Sequence, residues 1–513
     1  TGSWGQVLQL SQFDPDLVTL DSEHHSVSIR ALPAKDGNYY AIGSLTDFAS
    51  VALRLQLSPV GMLTIDSDIP EGAVKLKLNT NIDLTGTGLT GLTRDNSVGN
   101  YGFDIQGNGK TITLPNVTIF AGNKSHIFQG LIGQCRSGLT LNNLTVAGGS
   151  DIFCPNGQST SVHCGIVGET LCPATFTDTT STVSWNLGGW ALNSALSGFI
   201  GIVSYNHAIN FTNCSWSGKL EDVSGTNNGV CRLGGFIGTS NNNTNPSITV
   251  TSCTIGGTVR NTVSKDYGAA MGGLFGCLRY CGMLAINGLT VSTTMESTSK
   301  QSSGGLLGYE LYVQDKATFS GITIENSTLT TNAKFGGLIY KGAGYWQVIN
   351  NGIQFKSATI SGISDNTTPS GLLVSVGCSG VESYGGLYLE VGYNAYKIDP
   401  GVTVTLTSGT YFDELVGRSI QEVGSGKNGV VSIATKNNAL IDTDGCNTYQ
   451  KQLSIDYNNP CTRYYYNLDK FRTEGLPGDT ISTPAQMALW SAYNECRNCT
   501  TDGTNKSTNS NLG

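Results

Sequence analysis

The chain has 513 residues, a formal charge of −8 and a charged fraction of only 13%, and without a basic excess it is unlike nucleic-acid-binding proteins. Its 67 glycines and 5 methionines, together with abundant Ser, Thr and Asn, nearly exclude an all-α fold. Apolar residues are nevertheless spread along the whole chain, which argues against intrinsic disorder.

Residues 1–75 lack the glycine-rich repeat that follows and predict an N-terminal β cap. Segments 18–32 and 50–57 alternate apolar and polar residues, which is typical of antiparallel strands. A cap is expected because the open end of a stacked β-structure exposes unpaired strand edges and core residues.

The central part repeats a glycine-rich pentapeptide of the type GGLIG at intervals of about 32 to 38 residues. Looser copies occur at 371–374 and 385–389, and an alternating segment such as ITVTSCTI (248–255) follows most copies. This pattern predicts two or three short strands per period. The regular copies end at Gly133, Gly168, Gly201, Gly238, Gly276, Gly308 and Tyr340.

A single period has too few apolar side chains to offset the entropy lost when it folds, so neighbouring periods must stack. Glycine pairs suit corners where backbones approach closely or φ is positive. The hairpins of a β-sandwich are the alternative, but sandwich strands need not recur at a nearly constant interval. We therefore predict an all-β fold in which residues 76–410 form a parallel β-helix (β-solenoid) of about nine rungs, some 40 Å long.

The segments KLNTNIDLTG (77–86) and FDIQGNGKTITL (103–114), followed by the pentapeptide series, resemble the family of secreted or surface proteins with GLUG-type repeats. The resemblance covers roughly residues 74–390. It implies a right-handed parallel β-helix related to pectate-lyase-like proteins and to many adhesins. Members of the family are mostly surface, adhesive or structural proteins, and no catalytic residue is carried over.

Residues 411–513 predict a small disulfide-bearing C-terminal region with one short helix and a polar tail. Thr483 and Pro484 suit the N-cap and first position of that helix. Met487, Trp490, Tyr493 and Cys496 would then share one helical face.

The fourteen cysteines, an even number, indicate a disulfide-permissive compartment. Cys214 and Cys253 hold the same place in successive repeats, so their Cα atoms should lie about 4.8 Å apart, the spacing of neighbouring strands. That distance permits a disulfide, and two stacked thiols are equally possible. Zinc is disfavoured because neither Cys277-x3-Cys281 nor Cys496-x2-Cys499 has a second ligand pair. The candidate disulfide cysteines are Cys214, Cys253, Cys277, Cys281, Cys446, Cys461, Cys496 and Cys499.

Ten Asn-x-Ser/Thr sites favour, with the cysteines, an extracellular or cell-surface protein that carries N-linked glycans. The candidate acceptors are Asn116, Asn123, Asn143, Asn210, Asn213, Asn242, Asn326, Asn366, Asn498 and Asn505.

The sequence predicts no catalytic residue, no metal ligand and no cofactor, although calcium bound by loop carboxylates stays open. The acid pairs Glu221-Asp222 and Asp413-Glu414 are interpreted as solvated loops. A glycosidase would need two carboxylates facing one groove. We therefore expect a protein that is not an enzyme.

The leading functional hypothesis is an extracellular structural glycoprotein that assembles head to tail into a surface appendage, coat or filament. The alternative is an adhesin or carbohydrate-binding protein in which Trp185, Trp190, Tyr345 and Trp346 stack on sugars. A polysaccharide lyase or hydrolase is the second alternative. A nucleic-acid partner is not expected, and no stretch approaches the roughly 18 apolar residues of a membrane-spanning helix.

Overall fold

The computed structural model confirms an all-β parallel solenoid and has about eight turns. It describes residues 17–21, 23, 26–57, 69–93, 100–121, 125–155, 160–223, 230–242, 244–262, 270–298, 304–363, 370–379, 387–391, 395–408, 412–413, 416–421, 431–435, 446–448 and 464–467.

Each coil places short strand segments at up to five positions, which stack into columns A to E along the solenoid. The predicted two or three strands per period occur where long strands run through several columns, as in the coil 270–297, whereas the coil 161–189 has five short strands. Column A contains His126–Gln129, Ser161–Cys164, Ala195–Ser197, Arg232–Gly234 and Ala270–Gly272. Column B contains Ile132–Cys135, Val167–Thr170, Ile200–Val203, Ile237–Ser240, Val374–Ser379 and Val416–Gln421.

Columns C and D follow in the same coil and are joined by a sharp corner. Column C contains Gly72–Leu78, Ala174–Thr177, Ala208–Thr212, Leu387–Val391 and Val431–Thr435. Column D contains Ile82–Asp83, Thr180–Ser181 and Ser215–Trp216. Column E contains Thr118–Phe120, Asp151–Cys154, Trp185–Gly189, Lys219–Asp222, Thr258–Asn261, Thr294–Ser297 and Ser327–Lys334.

Several long strands run through two or more columns of one coil. Tyr101–Leu114, Leu139–Gly148 and Ser247–Ile255 join columns C and D. Phe275–Val291 and Gly308–Ile324 extend from column B to column D, Ile339–Ile363 extends from column B to column E, and Tyr396–Ser408 joins columns D and E. Two short strands, Ser370–Gly371 and Phe412–Asp413, pair in parallel beside them.

A row of residues in the left-handed conformation forms the corner between columns C and D. The φ angles of Asn143, Asn213 and Ser252 are 49°, 52° and 54°, and Gly288 continues the row at 84°. Asn, Asp and Gly tolerate this conformation better than other residues. The alternating segments predicted as single strands therefore turn at this row; its members are Asn108, Asn143, Asp178, Asn213, Ser252, Gly288, Gly321 and Asn350.

The glycine-rich pentapeptides form the tight turn from column A to column B. A Cβ atom on Gly201 would lie 2.6 Å from the carbonyl oxygen of Gly168 and 2.8 Å from the amide nitrogen of Cys164. On Gly235 it would lie 2.3 Å from the carbonyl oxygen of Gly273. These glycines are thus required by close backbone approach, as the repeat predicted.

The N-terminal cap contains a helix, so the predicted strand over 50–57 is wrong. Helix Leu45–Leu57 begins after Ser44, whose Oγ accepts a hydrogen bond from the Asp47 amide at 3.1 Å. The helix is buried on nearly all sides, and even Arg54 is covered and donates from Nη1 to the carbonyls of Arg30 and Ser50. Burial of polar side chains on this helix produced the misleading two-residue alternation.

The remaining cap strands follow the prediction for 18–32. Val18–Asp21 and Ser26–Ile29 pair antiparallel. Lys35–Asp36 forms a hairpin with Tyr39–Ile42, which then pairs in parallel with Gly72–Leu78 of column C. The cap therefore joins the first coil through continuous strand pairing, and its buried side chains belong to the same core.

Parallel pairing continues beyond residue 410 to Val431–Thr435 and Tyr464–Asn467. Cys446–Thr448 pairs antiparallel with Tyr464–Asn467. The helix predicted after Thr483, including Met487, Trp490, Tyr493 and Cys496, and the polar tail lie outside the described residues.

Candidate functional site

The aromatic residues that the sequence suggested as a sugar platform are largely inside the solenoid. Trp185, Tyr345 and Trp346 are only 3%, 7% and 0% exposed, and Trp190 is half-buried. The indole of Trp346 donates to the Ala343 carbonyl at 3.2 Å. The prediction that Trp185, Tyr345 and Trp346 present an open stacking surface is wrong, because the solenoid interior is wide enough to hold these rings.

Cys214 and Cys253 occupy equivalent positions in consecutive coils, as the repeat alignment predicted. The Cys214 amide donates to the Cys253 sulfur at 3.4 Å, and both residues are thiols in the structure. The hydrogen bond to Cys253 and burial raise the pKa of Cys214. A disulfide between the two stays a prediction.

The other disulfide candidates are placed only in part. Cys277 and Cys281 are buried thiols with different contacts, since Cys277 Sγ lies 3.5 Å from Glu310 Oε2 and Cys281 Sγ donates to the Met283 carbonyl at 3.4 Å. Cys446 begins a short strand. Cys461, Cys496 and Cys499 lie outside the described residues.

Most of the described sequon asparagines are exposed, as a glycan acceptor must be. Asn143 and Asn213 lie in the left-handed row, and Asn326 lies at a separate corner with φ 50°. Asn210 is half-buried in column C. Asn116, Asn143, Asn213, Asn242 and Asn326 are exposed, whereas Asn123, Asn366, Asn498 and Asn505 lie outside the described residues.

Glu221 and Asp222 lie in a strand of column E, so their interpretation as a solvated loop is wrong. Asp222 is buried and accepts a hydrogen bond from Asn261 at 3.0 Å. Glu221 pairs with Arg260 at 3.3 Å, and Arg260 reaches Glu296 at 3.1 Å in the next coil. Neighbouring strand residues point to opposite faces, so the two carboxylates do not face one groove. Asp413 ends a short strand, and Glu414 lies outside the described residues.

One row of registered positions in column B, called the polar row here, brings amide, carboxylate, hydroxyl, thiol and ammonium side chains into line along the solenoid. Glu169 is buried there and accepts hydrogen bonds from Gln134 Nε2 at 2.5 Å and from Ser204 Oγ at 2.7 Å. Asn241 extends this chain by donating to Ser204 at 3.3 Å. The polar row consists of Gln134, Glu169, Ile202, Thr239, Cys277, Glu310, Lys341 and Val376.

Further along the polar row, Glu310 lies between a thiol and an ammonium group. Its Oε1 is 3.5 Å from Lys341 Nζ, and its Oε2 is 3.5 Å from Cys277 Sγ. Burial, and then the charge of Glu310, raise the pKa of Cys277 to about 12. Cys277 therefore stays protonated near neutral pH and lacks the thiolate that nucleophilic catalysis requires.

A tyrosine cluster adjoins the polar row and is separate from the main core. The rings of Tyr309 and Tyr340 stack with centroids 5.3 Å apart. The Arg279 guanidinium lies 5.9 Å from the centre of the Tyr312 ring, a cation–π distance. The cluster consists of Tyr312, Tyr340, Ala343 and Val376, with the partly buried Tyr280 and Tyr309 packed against it.

In column A, His163 is buried and neutral. Its ring stacks on Phe128 with centroids 5.5 Å apart, and its Nδ1 has no hydrogen-bond partner. Burial, followed by the nearby charges of His126 and Arg232, lowers the pKa of His163 to about 3. Its imidazole cannot act as a proton shuttle near neutral pH.

The two carboxylates of the polar row are farther apart than the carboxylates of a glycosidase pair. Glu169 and Glu310 are four coils apart along the row, about 19 Å, whereas glycosidase carboxylates lie about 5 to 10 Å apart. In the described part of the chain, no group of three or more His, Cys, Asp or Glu side chains could hold a metal ion. None of the helices found in that part could cross a membrane.

Comparisons with protein-family models, with curated proteins and with solved structures find no match for the chain. The class that the fold itself defines is the β-solenoid, built from stacked parallel coils around one continuous core.

Proposed function

We propose that the chain is an extracellular structural glycoprotein, a β-solenoid subunit of a cell-surface appendage, coat or filament. Its resemblance to right-handed GLUG-repeat surface proteins is part of this proposal. The observation that carries it is the uninterrupted parallel register of column C, which runs from Gly72–Leu78 to Val431–Thr435.

Such stacking of coils is suited to a rod that resists mechanical force. Each described coil is hydrogen-bonded to its neighbours, and one contiguous core runs through the coils. The ten register steps of column C, at the strand spacing, give a body about 48 Å long. Exposed sequons such as Asn143 and Asn213 leave glycan acceptors on its surface.

Head-to-tail contact is the assembly that we propose for such a rod, because a contact between two unlike ends that does not close produces a filament. Negative-stain electron microscopy of the full-length glycosylated chain over a concentration series tests this. We expect rods that lengthen with concentration. Single particles of constant length at every concentration would contradict the proposal.

Carbohydrate binding is a second candidate, which the tyrosine cluster favours. Partly buried Tyr280 and Tyr309 pack against the cluster, and the Arg279 guanidinium lies 5.9 Å from the centre of the Tyr312 ring, which brings aromatic rings and a charged hydrogen-bonding group together. This location replaces the buried tryptophans as the predicted sugar surface.

A glycan array with the full-length chain tests the second candidate. Binding is expected to fall at least tenfold in Tyr309→Ala and to persist in Tyr205→Ala, a matched change at a tyrosine that is 58% exposed outside the cluster. Equal binding by both variants, or none by the wild type, would remove the candidate.

A further inference from the structure

Two cysteines that the repeat alignment did not pair bring their sulfur atoms into contact. Cys135 Sγ and Cys172 Sγ are 3.4 Å apart. Cys135 ends a column B strand and is paired with Thr170 of the next coil, and Cys172 lies just beyond that partner. Their side chains therefore converge from two consecutive coils.

The surroundings of the pair are dry and made mostly of backbone. Cys135 and Cys172 are 0% and 2% exposed. Cys135 Sγ also lies 3.3 Å from the Gly138 carbonyl, and Cys172 Sγ lies 3.4 Å from the Cys135 carbonyl. The hydrogen bond between the thiols raises the pKa of Cys135 and lowers the pKa of Cys172.

We propose that Cys135 and Cys172 form a disulfide that links two consecutive coils. The two sulfur atoms, 3.4 Å apart, would need to approach one another by about 1.4 Å to reach the length of a disulfide bond. The bond would tie together the first complete coils of the solenoid and reduce the freedom of the unfolded chain.

The oxidant is a small-molecule disulfide such as glutathione disulfide. The Cys172 thiolate attacks one oxidant sulfur, which forms a mixed disulfide and releases one thiolate. Cys135 loses its proton and attacks the Cys172 sulfur, which forms the Sγ–Sγ bond and releases the second thiolate. The two electrons and the two cysteine protons end on the two released thiols.

Because both sulfurs are buried in the folded chain, the exchange takes place before the two coils close over the pair. The bond in native material rests on the proposed extracellular location, since cytosolic thiols are kept reduced. Formation of the bond in vitro depends on geometry alone. The proposed disulfide and the proposed extracellular location can therefore be contradicted separately.

Refolding of the full chain tests the geometry. Reduced, denatured protein is refolded in reduced and oxidised glutathione, trapped with N-ethylmaleimide and digested without reductant for mass spectrometry. We expect a peptide pair joined through Cys135 and Cys172 that separates on reduction. Recovery of both cysteines as N-ethylmaleimide adducts from refolded protein would overturn the proposal.

Two variants control for mispairing. In Cys172→Ala, we expect to recover Cys135 as its N-ethylmaleimide adduct. We also expect reduction to lower the midpoint of urea unfolding less in this variant than in wild type. In Cys281→Ala, which removes another fully buried thiol, the linked pair persists. The wild-type mapping decides the question even if a variant fails to fold. A bond that forms in vitro but is missing from native material would contradict the extracellular location instead.

Discussion

Phe176 and Phe211 stack almost face to face in consecutive coils, with centroids 5.0 Å apart and ring planes 9° apart. They are direct partners in the parallel register of column C. Phe199 meets both rings edge-on. The core is thus built by stacking equivalent side chains, so removing one side chain also removes packing contacts of the coils on either side.

Truncation of this stack should be costly. Phe211→Ala is expected to lower the free energy of unfolding by about 3–5 kcal/mol, because it leaves a cavity between coils. Urea unfolding followed by circular dichroism measures this. Phe120→Ala is the matched control, since Phe120 is exposed and should change stability by less than about 0.5 kcal/mol. Equal losses would contradict the stacked core.

The beginning of the column B strand, directly after the turn from column A, should not accept a side chain at Gly201. Gly201→Ala would press a Cβ against two backbone atoms, and we expect a loss of about 1–3 kcal/mol or no folded protein. Gly256→Ala is the control, because its nearest atom would be 4.0 Å away. Thermal unfolding of both variants checks this; a neutral Gly201→Ala would show that this strand does not approach the neighbouring backbone as closely as the structure places it.

The left-handed row makes a different prediction for Gly288, whose φ is 84°. Gly288→Ala should cost about 1–2 kcal/mol, because a Cβ disfavours this conformation. Gly288→Asn should cost less, since asparagine holds the equivalent place at Asn213. Chemical denaturation of the two variants measures both losses of unfolding free energy. A smaller loss in Gly288→Ala than in Gly288→Asn would contradict the left-handed conformation of this row.

His163 predicts a loss of stability in acid. Its pKa is about 3 when folded and about 6.5 when unfolded. Between these values the unfolded chain binds a proton that the folded chain does not, so stability falls as the pH drops below 6.5.

His163→Phe keeps a ring beside Phe128 and removes this titration. At pH 4.5 wild type should have lost about 2–3 kcal/mol more, relative to pH 7, than the variant. Urea unfolding at the two pH values measures the difference, and His207→Phe serves as the control substitution. Parallel pH profiles of wild type and His163→Phe would show that His163 is not buried as a neutral ring.

The repeat could be recognised in the sequence because close backbone approach tolerates only glycine, at Gly201 in the column B strand and at Gly235 in the turn before it. Cys214 and Cys253 could be aligned because they share one place in the repeat. Cys135 and Cys172 could not, since their contact joins positions that are offset between coils.

The helix Leu45–Leu57 and the burial of Trp346 escaped prediction for a related reason. Both depend on how much space the stacked coils enclose, which no local pattern encodes. The tyrosine cluster likewise arises from stacking of three long strands and has no motif of its own.

The central claim is that successive repeats are turns of one parallel winding. Thr118 and Thr330 are exposed residues of column E joined by six register steps. Pulsed electron paramagnetic resonance between spin labels on keto amino acids at these positions, which leaves the cysteines untouched, should give a narrow distance distribution near 29 Å. A broad distribution, or a mean that differs by more than about 10 Å, would contradict the solenoid.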